Sequence, residues 1–249
     1  MTGFWRIVLA VVVLALAVLV LAPAALLDAP LAAATARHLR LVDASGLWWR
    51  GQGALATNDG ALRMPLRWRV ALAPLVVGDL AVDLYPEGDA QSPSGALAIR
   101  KGAIAARDLH VAAPAAIASA FDPALALLAL RGDLDLRAPS LVFEDRRASG
   151  SFDATWTRAR IVAGPASVDL GRVVARGTPD GDGIGGVVRN EGGDVAVSGT
   201  FAAKADTVET SVDLSPRSSA TEATRALLGM LGPADGTGHV RLHWQSRQR

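Results

Sequence analysis

The sequence predicts a mainly β protein in which an N-terminal transmembrane helix precedes a curled antiparallel sheet with two or three short helices. An uncharged apolar run covers residues 7–27. Beyond it, many segments alternate apolar and polar residues, as strands with one buried face do. Only a few short stretches have helix caps. We therefore expect a cytoplasmic tail (1–6), an anchor (7–27), a helical linker (28–41) and a β domain (42–249).

The apolar run is long enough to cross a bilayer, because its 21 residues would form a helix of roughly 31 Å. The alternative is a cleaved signal peptide, with Ile7–Leu21 as its apolar core and Ala22–Ala24 as its cleavage site. A core of 15 residues is at the top of the secretory range, which favours the anchor. With Arg6 on the cytoplasmic side, the β domain is expected in the periplasm, outside the inner membrane of a Gram-negative cell.

Three short helices are predicted in the rest of the chain. Asp28-Ala29-Pro30 is typical of a helix start, and this helix is expected to reach Leu41. Asp122-Pro123 opens a second helix that extends to about Leu130. Ser219 and Glu222 match a capping box, which predicts a third helix that ends near Leu231.

The clearest strand extends from Leu62 to Leu72, where every second residue is apolar and the intervening positions include Arg63, Arg67 and Arg69. The following segment alternates in the same way around Asp79 and Asp83. If these two strands pair, their outward arginine and aspartate side chains can face each other. Similar alternation occurs at 133–137, 195–201, 208–214 and 240–244.

The strands are apolar on one face only, and three short helices cannot cover so much apolar area. The sheet must therefore curl on itself, pack as two layers, or offer an apolar concavity to a partner. A barrel-like and a groove-like form both satisfy this requirement.

Composition argues against several functions. Lys+Arg 25 against Asp+Glu 24 gives no basic surface for nucleic acid, and with no cysteine there is no thiolate metal site. Gly181-x-Gly183-x-x-Gly186 matches a dinucleotide fingerprint, but a strand-like run follows it, so we interpret it as a hairpin turn. His239 and His243 would lie ~13 Å apart on a strand, too far to share a metal ion. We expect no enzyme activity and no cofactor.

Interaction candidates come from the aromatic and basic side chains. In a strand through Leu47–Gly51, Trp49 would face the core, whereas Trp48 would share the outer face with Arg50 or lie under a flanking element. An exposed aromatic residue is also a good anchor for a protein contact. Together with the basic face of the next strand, this selects four interaction candidates: Trp48, Arg50, Arg67 and Arg69.

Several segments, in their order along the chain, resemble protein N of the bacterial type II secretion system. After the anchor come a Gly-x-Trp-x-Gly-like segment and a Leu-x-Trp strand, then Pro-Leu with a Gly-led strand, a Gly strand that ends in Trp, an Asn-x-Gly-Gly turn and a Leu-Gly close. These segments are Ser45–Gly51, Leu66–Trp68, Pro74–Leu80, Gly150–Trp156, Asn190–Gly199 and Leu231–Leu242.

The resemblance implies an inner-membrane-anchored accessory of the apparatus that exports folded proteins. The expected partners are the outer-membrane secretin, the inner-membrane protein C and the platform proteins, together with inner-membrane lipid. More distantly, the alternating strands resemble AsmA-like proteins, whose curled sheets offer grooves for lipid. Two hypotheses follow: a structural component that binds other apparatus subunits, or a protein that binds a lipid or another hydrophobic ligand in an apolar groove.

Overall fold

The computed structural model describes residues 21–35, 37–57, 62–88, 92–118, 129–145, 147–163, 166–204, 207–233 and 235–247. Within these ranges, no helix is both long enough and apolar enough to cross a membrane. Most of the predicted anchor, residues 7–20, lies outside them.

The described chain forms one antiparallel sheet of 13 strands that follow one another in sequence order. Each strand from β2 to β12 pairs with the strand before it and the strand after it, and β1 and β13 form the two edges. The strands are β1 (Leu39–Leu47), β2 (Arg50–Thr57), β3 (Arg63–Ala71), β4 (Leu80–Tyr85), β5 (Ser94–Arg100), β6 (Ala103–Pro114), β7 (Ala129–Glu144), β8 (Arg147–Ala163), β9 (Ala166–Asp180), β10 (Gly183–Glu191), β11 (Val195–Ala203), β12 (Thr207–Pro216) and β13 (Val240–Arg247).

The predicted mainly β fold is confirmed, but the barrel alternative is wrong. The sheet begins at β1 and ends at β13, and these two strands do not pair in the part of the chain that the structure describes. The Gly181-Asp182 turn joins β9 to β10 as a tight hairpin, with Asp180 opposite Gly183. The dinucleotide fingerprint is therefore a hairpin, as predicted.

The sheet curls because β-bulges interrupt its strands. Asp43, Asp108 and Arg158 adopt positive φ angles of 52°, 48° and 51° at positions where the strand register shifts or skips a residue. Bulges of this kind bend a strand and increase its local twist. The curl brings Met64 of β3 into one apolar cluster with Ala113 of β6, although two strands separate them in the sheet.

The apolar face is covered in two separate regions. The first cluster is centred on Leu66, Trp68 and Val70 of β3. The alternation predicted for this strand is confirmed, because Met64 and these three residues are buried while Arg67 and Arg69 are exposed. The second cluster lies on β8–β13 under helix α3 (Glu222–Leu231), whose Leu227 and Leu228 are buried in it.

The linker helix is shorter than predicted. Helix α1 covers Asp28–Ala34, and β1 begins at Leu39. The Thr35 hydroxyl donates to the Leu31 carbonyl and accepts a bond from the Leu39 N–H, so it ends the helix and starts the strand. Arg37 has a φ of 67°, a left-handed value at which a right-handed helix cannot continue.

Asp28 does not cap α1. Its carboxylate pairs with Arg40 of β1 and accepts a hydrogen bond of 2.9 Å from the Leu41 N–H. These contacts hold the pKa of Asp28 below its usual value, with the Arg40 hydrogen bond as the largest cause. The aspartate therefore fixes α1 to the strand.

The other helices also differ in detail from the prediction. Helix α2 is a single turn over Leu72–Leu75, so the strand that was predicted to reach Leu72 ends one residue earlier, at Ala71. Thr221 caps α3 by accepting a bond from the Thr224 N–H, so the predicted Ser219 cap is wrong, whereas the end at Leu231 is confirmed. Most of the helix predicted from Asp122 lies outside the described residues, and its last residue, Leu130, belongs to β7.

The end of the predicted anchor packs on the sheet. Pro23 forms an isolated bridge with Leu47, and Ala24 begins a 3₁₀ turn (Ala24–Leu27) in which it is 1 % exposed. Leu27 and Leu31 pack against the first apolar cluster. Residues 22–34 therefore belong to the folded domain.

Candidate functional site

Three of the four candidate interaction residues meet on the polar face of β2 and β3. Arg50 lies directly opposite Arg69, and Arg67 lies opposite Gln52. Together they line an open depression of about 580 Å³ whose other residues are Ser45, Gly46, Gly51, Gln52, Trp68 and Tyr85. We call this depression the arginine pocket.

Neighbouring side chains hold two of the three arginines in place. The Arg69 guanidinium lies 5.9 Å from the centre of the Tyr85 ring, at cation–π distance. Arg67 forms an ion pair of 3.2 Å with Glu87. Like charges placed opposite each other on neighbouring strands destabilise a sheet, and Arg50 and Arg69 are such a pair. Acidic neighbours offset part of this charge, since Glu87 pairs with Arg67 and Asp83 lies opposite Arg69.

Trp48 lies apart from the arginine pocket and has a structural position. It forms the β1–β2 turn with Trp49, so the predicted strand alternation through Leu47–Gly51 is wrong at this point. Both tryptophans are half-buried against the first cluster, beside Leu27. The Trp48 N–H donates to the Ala22 carbonyl over 3.1 Å. Trp48 therefore lies under the flanking 3₁₀ turn and α1, one of the two positions expected for it.

The glycine at the centre of the pocket makes room for Trp68. Gly51 pairs directly with Trp68, and a Cβ atom on Gly51 would lie 2.6 Å from Trp68 Cζ2. The indole Nε1 of Trp68 donates to the Trp48 carbonyl over 2.8 Å. Two segments that carried the family resemblance, Ser45–Gly51 and Leu66–Trp68, are thus packed together as one unit.

Sequence reasoning missed Tyr85 and Glu87. Tyr85 follows from strand register, because it pairs with Arg67 when β4 is aligned on β3, whereas Glu87 lies beyond the end of β4. The alignment also places Arg69 opposite Asp83, as predicted. The alternating pattern stops at the end of β4, so it did not indicate either residue.

Elsewhere the polar face carries pairs of opposite charges. Arg241–Asp213 at 2.7 Å, Arg176–Asp153 at 3.0 Å and Arg160–Asp169 at 3.1 Å link neighbouring strands. In the described ranges, no group of three or more His, Cys, Asp or Glu side chains is arranged to hold a metal ion.

His110 and Asp135 form a smaller cluster on β6 and β7, 2.8 Å apart. Burial raises the pKa of Asp135, but hydrogen bonds from His110 and Arg137 outweigh it, so the pKa lies below its usual value. Asp135 is therefore a charged structural acceptor at neutral pH.

The chain was compared with known families, curated proteins and solved structures. The sequence model described as type II secretion system (T2SS), protein N, matches residues 37–243. No curated protein and no solved structure matches the chain. The match begins just before β1 and ends inside β13, so it covers twelve strands and the first half of the thirteenth. The chain therefore belongs to the protein N family of the type II secretion system.

Proposed function

We propose that this chain is an accessory structural component of the type II secretion apparatus, anchored in the inner membrane and bound to other subunits in the periplasm. Its family makes it a component of type II secretion. The part of the apolar run before the sheet, residues 7–21, supports the anchor, since residues 22–27 pack on the folded domain. The partners we propose are the outer-membrane secretin, inner-membrane protein C and the platform proteins.

The observation that carries the binding proposal is the free edge of β13. This strand pairs with β12, and no described residue pairs with its other edge. An unpaired edge offers backbone donors and acceptors to a strand of another protein. Trp244 on this strand is 55 % exposed and supplies an aromatic contact beside the edge. At the opposite end of the sheet, Pro23 already occupies part of the β1 edge.

The test is site-specific photocrosslinking in cells that express the whole apparatus. A photoreactive amino acid replaces Trp244, and adducts are identified by mass spectrometry. The control is Val187 of β10, which is 50 % exposed and lies between two paired strands. We expect adducts with the secretin, protein C or a platform protein from position 244 and none from position 187. Adducts from neither position, with the chain present in the membrane fraction, would contradict the proposal.

The anchor is tested separately. Alkaline extraction should leave the full chain in the membrane pellet, and a C-terminal phosphatase fusion should be active because that enzyme folds only in the periplasm. A fully extracted chain would show that residues 7–27 do not span the membrane, whatever β13 binds.

A second candidate function is the binding of a lipid or another hydrophobic ligand. Between the two main clusters, the leucine and valine side chains on β5–β7 are only half-buried in the described structure. Those on the apolar face include Leu97, Leu109, Val111, Leu134, Leu136 and Leu141. Val111 lies opposite Leu136, on the side of the sheet to which Ala113 belongs. A curled sheet with such a surface can accept an acyl chain.

Native mass spectrometry of the full chain, purified in detergent, tests this alternative. A retained lipid of defined mass that is lost when Val111 is replaced by aspartate would favour it. A chain that carries no lipid after purification in several mild detergents would argue against it.

A further inference from the structure

All odd-numbered strands finish at one end of the sheet, because each strand runs antiparallel to its neighbours. We call this the entry end, since the chain joins the sheet there. Pro23 pairs with Leu47 at the end of β1, and the Trp49 carbonyl accepts a bond of 2.7 Å from Val70 near the end of β3. Helix α2 follows β3 directly, so it lies at the same end as Ala22 and Pro23.

Exposed apolar side chains are concentrated at the entry end. After α2, Val76 is 87 % exposed and Val77 is 77 % exposed. The segment from Val70 to Gly78 carries no charge. On soluble proteins, exposed apolar residues normally occur singly, and a contiguous group marks a contact with a partner or a membrane.

A second group of exposed apolar residues continues this surface across the next strands. Ile99 of β5 lies opposite Ile104 of β6, which lies opposite Phe143 of β7. These three residues are 42 %, 51 % and 40 % exposed. An ion pair of 3.0 Å between Arg100 and Asp79 joins their strands to the loop that carries Val77. The two groups therefore lie on one end of the sheet.

The length of the preceding apolar segment indicates what covers this surface. Residues 7–21 precede the first residues that pack on the sheet, and they would form a helix of only about 22 Å. The hydrocarbon core of a bilayer is about 30 Å thick. A helix this short does not extend beyond the hydrocarbon core, and no polar linker separates it from the sheet. The entry end must therefore lie at the membrane surface.

Charges of both signs border the apolar side chains at this end, where Glu144 and Asp182 are exposed together with basic residues. Lys101 is exposed in the β5–β6 turn, and Arg50 is exposed at the start of β2. Apolar side chains flanked by lysine and arginine are typical of segments that enter the interface of an anionic bilayer.

We infer that the entry end of the sheet rests on the bilayer, with Val76 and Val77 inserted into its interfacial region. This inference rests on the proposed anchoring by residues 7–21. It adds a second contact with lipid, which fixes the orientation of the sheet and points its opposite end, with α3, into the periplasm.

The test uses the full chain in vesicles of phosphatidylethanolamine and phosphatidylglycerol. The chain has no cysteine, so V77C and M230C each provide a single site for an environment-sensitive fluorophore. Met230 on α3 is 84 % exposed and is therefore a matched control near the other end of the sheet. Lipids that carry a spin-label quencher at the top of the acyl chain report contact. Flotation at high salt reports anchoring independently.

We expect the V77C label to be quenched at least threefold more strongly than the M230C label in chains that float with the vesicles. Floating chains in which both labels are quenched equally would overturn the inference and leave the anchor intact. Chains that do not float would overturn the anchor and the inference together. The double substitution V76D/V77D should leave flotation unchanged and should expose an I104C label to a water-soluble quencher.

Discussion

The indole Nε1 of Trp68 donates a hydrogen bond of 2.8 Å to the main-chain carbonyl of Trp48. This bond joins the middle of β3 to the turn that receives Ala22 and supports the 3₁₀ turn. It makes Trp68 the link between the sheet and the residues that follow the apolar run.

Replacing Trp68 by phenylalanine keeps most of the apolar contact and leaves the Trp48 carbonyl without its indole donor. We expect W68F to lower the free energy of unfolding by about 1–3 kcal/mol and W68A to lower it by about 3–5 kcal/mol, measured by urea denaturation. W244F is the control, because Trp244 is 55 % exposed. A W68F protein as stable as W244F would show that the bond contributes nothing.

Replacing Gly132 tests the bulges that curl the sheet. Gly132 has a φ of 107°, and a Cβ atom there would lie 2.3 Å from the Thr157 carbonyl oxygen. We expect G132A to cost about 2–4 kcal/mol in unfolding free energy, since backbone strain and a clash coincide. G229A is the matched control: Gly229 lies in α3 with no atom within 4 Å of the added Cβ, so alanine should stabilise the helix. Equal effects of the two substitutions would be inconsistent with a strained bulge at Gly132.

Asn190 joins three strands through its side-chain amide. Its Nδ2 donates to the Leu170 and Val195 carbonyls, each over 2.7 Å, and its Oδ1 accepts from the Val197 N–H over 2.8 Å. Aspartate at this position would place a carboxylate oxygen against two carbonyl oxygens. We expect N190D to lower the unfolding free energy by about 2–4 kcal/mol at pH 7.

Thermal unfolding followed by circular dichroism measures the effect of N190D. Part of the lost stability should return between pH 5 and pH 4, because a protonated carboxyl can again donate one hydrogen bond. S198A on the exposed face of β11 should change little and serves as the control. An N190D effect that is independent of pH would contradict this account.

The stability of the loop before β13 depends on pH because of the Asp235 carboxylate. Hydrogen bonds from the Thr237 hydroxyl and from the Thr237 and His239 N–H groups lower the pKa of Asp235 from 3.8 to about 2. A lowered folded-state pKa stabilises the fold above the unfolded-state pKa, and this stability is lost as the pH falls through the folded-state pKa. The contribution is therefore complete above about pH 4 and disappears towards pH 2.

Carbon-detected NMR of the side-chain carboxyls measures the Asp235 midpoint directly, and we expect a value about two units below that of an ordinary aspartate. The stability difference between wild type and D235A should shrink over the same pH range. A midpoint near 4 would show that the three hydrogen bonds do not persist in solution.

The sequence indicated the fold class because alternation survives wherever one strand face is buried, as at Met64, Leu66 and Trp68. It could not indicate that the sheet stays open, since closure depends on the summed effect of bulges at residues such as Asp108 and Arg158. The predicted linker helix was too long, because a helix end formed by one threonine side chain, Thr35, cannot be recognised from composition.

The candidate site was predicted in part. Arg50, Arg67 and Arg69 could be placed together because the polar faces of two adjacent strands coincide. The position of Trp48 under a flanking element was among those expected, but the β1–β2 turn that places it there was not, because a two-residue turn and a continuing strand have the same local sequence preferences. The exposed Val76 and Val77 resembled core residues in the sequence, where an apolar residue gives no sign of whether it will be covered.

The strict sequence order of the strands also bears on how the chain acquires its structure. Every strand pair joins neighbours in the sequence, so few contacts need a long loop to close, and such topologies fold rapidly for their size. The sheet can grow one hairpin at a time from its N-terminal side as the chain emerges, with stability set by nearest-neighbour terms. At each stage the newest strand presents the only growing edge, and β13, the last to be added, keeps that edge in the finished protein.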